Sequence, residues 1–235
     1  MIKATYVDHM GSDITVVNSA RVSFGKRIEG LGYTGPADGI MTPILHDKDI
    51  KLIHYLAKHK HMSPFGHCFM SFHCKAPVFV ARQLVKHKFL RWNEISRRYV
   101  DNDPEFYAPD DWRGRSEYKK QGSAGVIELY NVSDKRNPHF LVGETQTHYQ
   151  KLNLELYKSL LDAGVCPEQA RMVLPQNTMT EWYWSGSLDA FSDMCCLRLK
   201  GDTQEETQYI AKQVSDMMSA TFPISWEALQ GETNG

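Results

Sequence analysis

Apolar positions in four short segments follow the spacing of β-strands. Residues 2–7 and 14–17 are apolar, β-branched runs separated by the turn-forming residues 11–13, so both are predicted to be strands. Residues 68–75 alternate with a period of two, and residues 178–184 are rich in β-branched and aromatic side chains. The pattern therefore predicts a small sheet built from these segments.

Longer segments carry apolar residues at helical spacing. Ile50, Ile53, Leu56 and Ala57 fall on one side of a helix over residues 47–60. Helices are also predicted to begin at Pro77 and to cover residues 143–163, 167–175, 187–199 and 204–220. Together the elements predict an α+β fold, in which a modest mixed or antiparallel sheet is covered by helices.

Three segments show neither the alternation of a strand nor the apolar spacing of a helix. Residues 28–44 are rich in Gly and Pro and are predicted to form an irregular insertion. Residues 101–123 are polar and are predicted to be a surface loop with one helical turn, and residues 231–235 a disordered tail. No internal repeat divides the chain, and its 235 residues suit one domain with a substantial core. We therefore expect a single domain over residues 1–235.

The balance of charge limits the classes of partner. The chain has 27 basic and 28 acidic residues, a net charge of −1, which argues against bulk electrostatic capture of nucleic acid or an anionic membrane. Local basic clusters in a neutral chain fit a small anionic ligand better. The first residues lack the apolar run of a signal peptide, and no stretch is long enough to span a bilayer.

The cysteines indicate a reducing compartment. The five residues, Cys68, Cys74, Cys166, Cys195 and Cys196, are odd in number and show no C-x-x-C spacing. Cys68 and Cys74 share the parity of the inward strand face, and Cys195 and Cys196 lie in an apolar helix. Buried free thiols are the simplest interpretation, so the protein is predicted to be cytoplasmic.

Cationic and hydrogen-bonding side chains are concentrated in residues 77–99. Gln83, Lys86 and His87 are spaced i, i+3 and i+4, so a helix beginning at Pro77 would place them on one exposed stripe. Further polar residues follow: Lys88, Arg91, Asn93, Glu94, Ser96, Arg97 and Arg98. These donors suit a phosphate and a polar ring, whereas the simpler interpretation is a solvated basic face.

This stretch resembles the signature of the flavin-dependent thymidylate synthases. In that family Arg-His-Arg is followed, after seven residues, by the Ser of an Asn-Glu-x-Ser-x-Arg-Tyr segment. Here Lys86-His87-Lys88 stands in the place of Arg-His-Arg. Residues 93–99 match the Asn-Glu-x-Ser-x-Arg-Tyr segment, and Ser96 keeps the spacing of seven residues. The two lysines keep the positive charge but lose the bidentate fork of arginine, so flavin contacts at these two positions depart from the family pattern.

Three further segments resemble the same family, in the same order along the chain. Residues 20–24 match its Ala-Arg-Val-Ser-Phe segment, residues 61–67 its His-x-[Thr/Ser]-Pro-Phe-x-His segment, and residues 170–175 its Ala-Arg-x-Val-Leu-Pro segment. The family's Asn-x-Arg is replaced by Ser187-Leu188-Asp189, so the contacts to the adenine side of the flavin must differ. The resemblance covers residues 15–225, and residues 204–220 also resemble the family's Gln-x-Glu stretch.

The resemblance implies reductive methylation of deoxyuridine monophosphate (dUMP) to thymidylate. It implies 5,10-methylenetetrahydrofolate as the carbon donor, FAD as the hydride carrier reduced by NADPH, and a homotetramer with sites at subunit interfaces. It places dUMP against Gln83, Lys86, Glu94, Ser96, Arg97, Arg98, Arg171 and Arg198, and FAD against Ser23, His61, Ser63, Lys86, His87, Lys88 and Glu94. No metal, nucleic acid or membrane partner is implied.

Taken without the resemblance, several of these residues have simpler interpretations. Ser23 suits an ordinary hydroxyl at a helix end, and Arg171 suits an exposed ion pair with Glu168. Arg198 lies on an apolar helix and needs an anion, for which Asp193 or Asp202 is available. The five histidines within residues 54–73 invite a metal site, but none of their spacings is that of a zinc hydrolase, so satisfied or surface histidines or ligand contacts are favoured.

Chemistry at uracil needs the ring carbon to become electron-rich before it attacks a methylene group. The cysteines lie in apolar or alternating segments, which do not favour a thiolate, whereas Arg198 can stabilise negative charge on the pyrimidine. Arg198 is therefore the predicted catalytic residue. Two other classes remain: a cysteine-dependent pyrimidine methylase, and a binder of single-stranded nucleic acid that uses residues 86–99 with Phe89, Trp92 and Tyr99 as stacking platforms.

Overall fold

A computed structural model describes residues 1–35, 39, 41–118, 122–129, 132–133, 135–136 and 141–231. The strands are β1 (Lys3–Met10), β2 (Gly32–Thr34), β3 (Thr42–Ile44), β4 (Phe69–Pro77), β5 (Leu90–Glu94), β6 (Trp112–Arg115), β7 (Ser123–Ile127) and β8 (Met179–Ser187). The helices are α1 (Asp13–Arg21), α2 (Asp47–Lys58), α3 (Val78–Leu84), α4 (Val142–Asp162), α5 (Pro167–Ala170), α6 (Leu188–Arg198), α7 (Glu205–Thr221) and α8 (Pro223–Gly231). Single 3₁₀ turns occupy Val22–Phe24, Phe65–His67 and Arg171–Val173.

The central sheet has four antiparallel strands in the order β1-β4-β8-β5. Its two inner strands are the segments whose sequence alternates most clearly, since Met70, Phe72 and Cys74 of β4 are buried while the residues between them are more exposed. Phe72 pairs with Trp184, and Trp184 pairs in turn with Trp92 of β5. The predicted α+β fold with an antiparallel sheet covered by helices is confirmed. That residues 1–235 form one domain stays a prediction.

Aromatic side chains fill the space between the sheet and α6. The Phe191 ring meets Phe72 at 5.1 Å and Trp184 at 5.2 Å between centroids, both edge-on. Edge-to-face pairs of this kind add to the free energy gained by burying the rings. The packing fixes α6 against the sheet, and it thereby fixes the end of α6, where Arg198 lies.

Gly186 allows β5 to approach the centre of the sheet. It lies in β8 between Met70 of β4 and Leu90 of β5. A Cβ atom at this position would stand 2.2 Å from Leu90 Cδ2 and 3.3 Å from the Phe89 carbonyl oxygen. A side chain at residue 186 would therefore push Leu90 away, and β5 begins at Leu90.

The last helix is capped from the other end of the chain. Asp13, the buried first residue of α1, accepts hydrogen bonds from the backbone N–H groups of Ile224 and Ser225, at 3.1 and 2.9 Å. Carboxylates stabilise the free N–H groups at a helix N-terminus. Burial raises the pKa of Asp13, although these hydrogen bonds act against the shift.

Two sequence predictions about local structure are wrong. Residues 14–17 are helical in α1 rather than a strand, since Ser12 precedes the helix in an extended N-cap conformation and Val16 and Val17 face the core at helical spacing. The helix that begins after Pro77 ends at Leu84, so Lys86 and His87 lie in a turn and not on a helical stripe with Gln83. Tertiary packing overrides the short local patterns in both places.

The irregular segments contain more structure than predicted. Strands β2 and β3 pair as a hairpin inside the 28–44 insertion, of which residues 36–38 and 40 lie outside the described part. Within residues 101–123, of which 119–121 lie outside the described part, the described residues include β6 and the first residue of β7, which pair with each other, and show no helical turn. Helix α8 runs to Gly231, and the remaining residues of the predicted tail lie outside the described part. Within the described ranges no helix is long and apolar enough to cross a membrane.

Candidate active site

The guanidinium of Arg198 is fixed at the end of α6 by two neutral acceptors. Its Nε donates a hydrogen bond to His87 Nε2 at 2.9 Å, and one terminal nitrogen donates to the backbone carbonyl of Gln83 at 3.0 Å. Both acceptors come from α3 and the turn that follows it. These two hydrogen bonds therefore set the direction in which the positive charge points.

His87 takes part in this contact as a neutral ring. Burial, with a smaller contribution from the charge of Arg198, lowers the pKa of His87 to about 4. The Nε2 atom accepts the hydrogen bond from Arg198, so the ring proton is on Nδ1. At neutral pH the pair therefore carries a single positive charge.

Arg198 has no acidic partner among the described residues. The predicted partners Asp193 and Asp202 are wrong, because neither forms an ion pair with it. Burial lowers the pKa of Arg198, yet an arginine stays charged in proteins. A half-buried positive charge held by neutral acceptors is favourable for an anionic or electron-rich ligand.

The side chain of Gln83 is held from the opposite side by α7. Its Nε2 donates to Gln204 Oε1, and its Oε1 accepts a hydrogen bond from the Thr207 hydroxyl at 3.2 Å. Two residues on, Glu206 is buried and bonded to Arg113 of β6 through both carboxylate oxygens, at 2.6 and 2.7 Å. Sequence reasoning assigned no role to Gln204, Glu206 or Arg113. The Gln-x-Glu stretch was the available signal.

The second cationic group is the turn after β5. Arg97 donates to the carbonyl and side-chain oxygens of Asn102, at 2.6 and 3.0 Å. The backbone N–H and Nε of Arg98 both approach Ser96 Oγ at 3.4 Å, and its guanidinium lies 5.0 Å from the centre of the Tyr99 ring. No described contact joins this turn to Arg198. Within one chain, the structure therefore does not bring the two predicted parts of the dUMP site together.

Glu94 lies at the end of β5 with its carboxylate already in use. Thr180 Oγ1 donates to it at 2.8 Å, and the indole nitrogen of Trp92 donates at 3.0 Å. Trp92 itself stacks on Trp182, with 4.5 Å between the ring centroids. Trp92 is therefore part of the packed sheet face and is not free to act as a stacking platform for nucleic acid.

The other predicted ligand residues are exposed. Arg171 donates to the backbone carbonyl of Glu168 at 3.2 Å, so the predicted contact between the two side chains does not form. Lys86 and Lys88 flank His87, Ser23 lies in the turn after α1, and His61 and Ser63 follow α2. Exposed ammonium, imidazole and hydroxyl groups fit the phosphates and ribose of a dinucleotide by their chemistry.

A cavity of about 610 Å³ lies between the β6–β7 hairpin and the start of α7. Its lining includes Phe79, Tyr107, Arg113, Gln204 and Glu206. None of the predicted substrate or flavin residues lines it. The candidate site is therefore the open surface around Arg198 and not this cavity, although Gln204 both lines the cavity and contacts Gln83.

The buried cysteines are poorly suited to nucleophilic attack. Burial raises the pKa of Cys68 to about 12 and raises the pKa values of Cys74 and Cys195 further. Cys196 is half-buried, and Cys166 is exposed, so burial of the thiols is not complete. Among the residues that the structure describes, no group of three or more His, Cys, Asp or Glu side chains could hold a metal ion.

A known protein family matches most of the chain. The sequence pattern of the thymidylate synthase complementing proteins matches residues 5–224. The chain belongs to this family. It is 34% identical over 227 residues to the flavin-dependent thymidylate synthase of Thermus thermophilus, a match that covers 95% of this chain and 74% of the relative. It is 37% identical over 223 residues to that of Kosmotoga olearia, covering 94% and 87%.

A solved structure of similar fold agrees with the sequence relatives. The UMP/dUMP methylase PolB from Streptomyces cacaoi, bound with 5-Br UMP, superimposes with a TM-score of 0.78 and 28% identity over 99% of this chain and 95% of its own. Family membership confirms the resemblance in the sequence and makes the chain a flavin-dependent enzyme of the methyltransferase type.

Proposed function

We propose that the protein methylates dUMP reductively to thymidylate. The carbon comes from 5,10-methylenetetrahydrofolate, and NADPH is the reductant. The observation that carries the proposal is the charge of Arg198, fixed by His87 and the Gln83 carbonyl and lacking an acidic partner in the described chain. The names of the relatives and the ligand of the structural neighbour support the same substrate class.

Arg198 is the proposed catalytic residue. As electron density gathers on the uracil ring, a fixed guanidinium stabilises it without having to reorganise, which is the main contribution of preorganised charge in enzymes. The neutral state of His87 supports this role, because a charged imidazolium could not accept from Nε of Arg198. The high pKa values of three cysteines make a thiolate nucleophile the weaker alternative.

The nucleotide is held by donors from several elements. The proposed dUMP contacts are Gln83, Lys86, Glu94, Ser96, Arg97, Arg98, Arg171 and Arg198. The cluster of Ser96 and Arg98 supplies a hydroxyl, a backbone N–H and a guanidinium within hydrogen-bonding range of one another, which suits the oxygens of a phosphate. The exposure of Arg98 and the separation of this turn from Arg198 support a homotetramer in which the turn completes the site of a neighbouring subunit.

The flavin is FAD in this proposal, and it supplies hydride transfer when bound. The residues that would hold it are Ser23, His61, Ser63, Lys86, His87, Lys88 and Glu94. Lys86 and Lys88 offer two positive charges beside His87, and their chemistry fits the pyrophosphate. Ser187 and Asp189 stand where the family carries Asn-x-Arg, so this end of the flavin is bound by different contacts. Five free cysteines support a cytoplasmic location.

The test is a reconstitution. The purified chain is loaded with FAD and incubated with dUMP, 5,10-methylenetetrahydrofolate and NADPH, and thymidylate is measured by chromatography. We expect a yellow protein that forms thymidylate only when all components are present. A protein that binds FAD but forms no thymidylate would contradict the proposal, and thymidylate formation that stops on alkylation of Cys166 or Cys196 would favour the cysteine mechanism instead.

A further inference from the structure

The cavity between the β6–β7 hairpin and the start of α7 is separate from the proposed nucleotide contacts. Its volume of about 610 Å³ lies in the range of sites for small organic ligands. None of the residues proposed to contact dUMP or FAD is among the described residues that line it. An occupant of the cavity would therefore leave those proposed contacts in place.

Aromatic rings form the apolar part of the cavity wall. The rings of Phe79 and Tyr107 lie 6.1 Å apart between centroids and are inclined by 61°, so they meet at an angle and do not stack on each other. Trp112 adds its indole from the hairpin. Aromatic faces and edges both make favourable contacts with a flat ring. The wall therefore suits a planar aromatic ligand.

The polar part of the wall presents hydrogen-bond acceptors. Asn177 and Gln146 both donate to the backbone carbonyl of Tyr107, at 2.6 and 3.4 Å. Because a carbonyl only accepts, each side chain must place its amide nitrogen there, and each amide oxygen is left without a donor among the described hydrogen bonds. Asp111 adds an exposed carboxylate to the same wall. The wall thus offers two amide oxygens and one carboxylate to the N–H groups of a ligand.

The charge of the wall disfavours an anionic ligand. Two carboxylates, of Asp111 and Glu206, stand against the single guanidinium of Arg113. Burial would raise the pKa of Glu206, but hydrogen bonds, chiefly from Arg113, hold that pKa below its ordinary value. Arg113 is bonded to both oxygens of Glu206 and lies 2.9 Å from Glu205, so its charge is already compensated. Of the described residues that line the cavity, no other carries a positive charge for a phosphate.

We propose that this cavity binds an aminopyrimidinone ring, the group that guanine and the pterins share. The ring is flat and uncharged at neutral pH, and its edge carries an N–H beside an amino group, so it supplies the neighbouring donors that the wall lacks. Ser123 and Gln176 also line the cavity and can donate to the ring carbonyl. Adenine fits less well, because its amino group stands beside a bare nitrogen that would face an acceptor. The inference does not rest on the proposed function.

The experiment measures binding by equilibrium dialysis of the full chain, with FAD and dUMP added in excess to fill the proposed nucleotide sites. Two matched pairs of compounds are compared. Inosine lacks the amino group of guanosine, and lumazine has a carbonyl oxygen in place of the amino group of pterin. We expect guanosine or pterin to bind on the order of 10-fold more tightly than its matched compound, the cost of an unpaired acceptor. The pair that contains the tighter ligand identifies the source of the ring.

The outcomes separate this inference from the proposed function. A chain that forms thymidylate but binds neither guanosine nor pterin overturns the inference alone. Equal affinity for the two members of both pairs also overturns it, because the amino group would then have no acceptor in the site. A chain that prefers guanosine or pterin but forms no thymidylate overturns only the proposed function.

Gln146→Leu tests the place of binding. It removes one amide oxygen from the wall and should weaken the binding of guanosine or pterin about fivefold, while thymidylate formation stays at the wild-type level. Gln150→Leu is the matched control, because Gln150 lies one turn further along α4 and also donates to the Tyr107 carbonyl, at 3.5 Å, but does not line the cavity. Should Gln146→Leu fail to fold, Phe79→Leu removes an aromatic face and should also weaken binding. Wild-type affinity in a folded Gln146→Leu or Phe79→Leu, or equal losses in the two glutamine variants, overturns the inference.

Discussion

The two cationic regions of the molecule differ in how their charges are held. Arg198 is half-buried and bonded to a neutral ring and a backbone carbonyl, which come from α3 and the turn that follows it. The arginines of the 96–98 turn are held by contacts within that turn and with Asn102, without support from the sheet. One region is thus built into the fold, whereas the other is presented at its surface.

The difference separates two tasks of one proposed site. A charge that stabilises a developing negative ring must not move during the reaction, so it needs rigid support from the chain that carries it. A phosphate needs several donors, and these tolerate small adjustments. The 96–98 turn therefore suits the part of the site that a neighbouring subunit supplies, and the region around Arg198 suits the reacting ring.

Removing the positive charge of Arg198 should have the largest effect on activity. Arg198→Ala is expected to lower the turnover number by about 10²–10³-fold, the loss seen when one preorganised donor to a transition-state charge is removed. FAD binding should remain, since absorbance of the bound flavin reports it separately. Lys200→Ala removes an exposed cation two residues away and serves as the control. Equal losses in the two variants would show that overall charge, and not the position of Arg198, matters.

Removing the Ser96 hydroxyl should weaken the binding of dUMP more than it lowers the turnover number. Ser96→Ala is expected to raise the KM for dUMP by roughly 10-fold, as for a lost hydrogen bond to a charged group. With dUMP well below its KM, mixing Ser96→Ala with Arg198→Ala subunits should restore roughly a quarter of the wild-type activity, because random assortment rebuilds some sites from two intact residues. Activity that stays at the level of the separate variants would place both residues in one subunit.

The approach of β5 can be tested at Gly186. Gly186→Ala places a methyl group against Leu90 and should lower the free energy of unfolding by about 1–3 kcal/mol, a typical cost of overpacking. Because β5 leads to the 96–98 turn, KM for dUMP should rise while the flavin spectrum is kept. Chemical denaturation measures the first effect. Gly201→Ala, where a Cβ meets no atom, is the control and should be close to neutral.

The smallest effect concerns the charge state of His87. Its pKa falls from 6.5 to about 4 on folding, so the unfolded chain binds the proton first as the pH is lowered. The contribution of neutral His87 to the free energy of unfolding is therefore complete above pH 6.5 and is lost as the pH falls from 6.5 to about 4. His87→Gln keeps an acceptor but should flatten this part of the stability curve. In this pH range the free energy of unfolding should change by well below ~1.4 kcal/mol per pH unit, the slope for a full proton bound only by the unfolded chain, because His87 is half-buried. Identical curves of stability against pH for the wild type and His87→Gln would contradict the neutral state assigned to His87.

Sequence patterns predicted the central sheet and the long helices well, because burial on one face is a strong and periodic requirement. Strand β4 and helix α7 lie within one or two residues of their predicted bounds. The predictions were wrong where a short segment could satisfy two periods, as in α1, and where the pairing partner lies far away, as in β5, which pairs with β8. Strand pairing across nearly a hundred residues leaves no local signal.

The site was predictable in its residues but not in its contacts. The motif around His87 and the single arginine of α6 directed attention to two groups that the fold does bring together. Their direct hydrogen bond could not be predicted, since it depends on where α3 ends. Sequence reasoning offered an acidic partner, Asp193 or Asp202, as the simpler alternative to a ligand role for Arg198, and it did not foresee that a neutral ring and a backbone carbonyl hold the guanidinium.

The cap that Asp13 places on α8 has a consequence for how the protein is made. During synthesis α1 leaves the ribosome long before residues 223–231 exist, so a carboxylate destined for the interior waits without its donors. The cap can form only after Ile224 and Ser225, which supply its two donors, have left the ribosome. A nascent chain stalled before Pro223 should therefore stay open to proteases, and resistance should appear only once these residues have emerged.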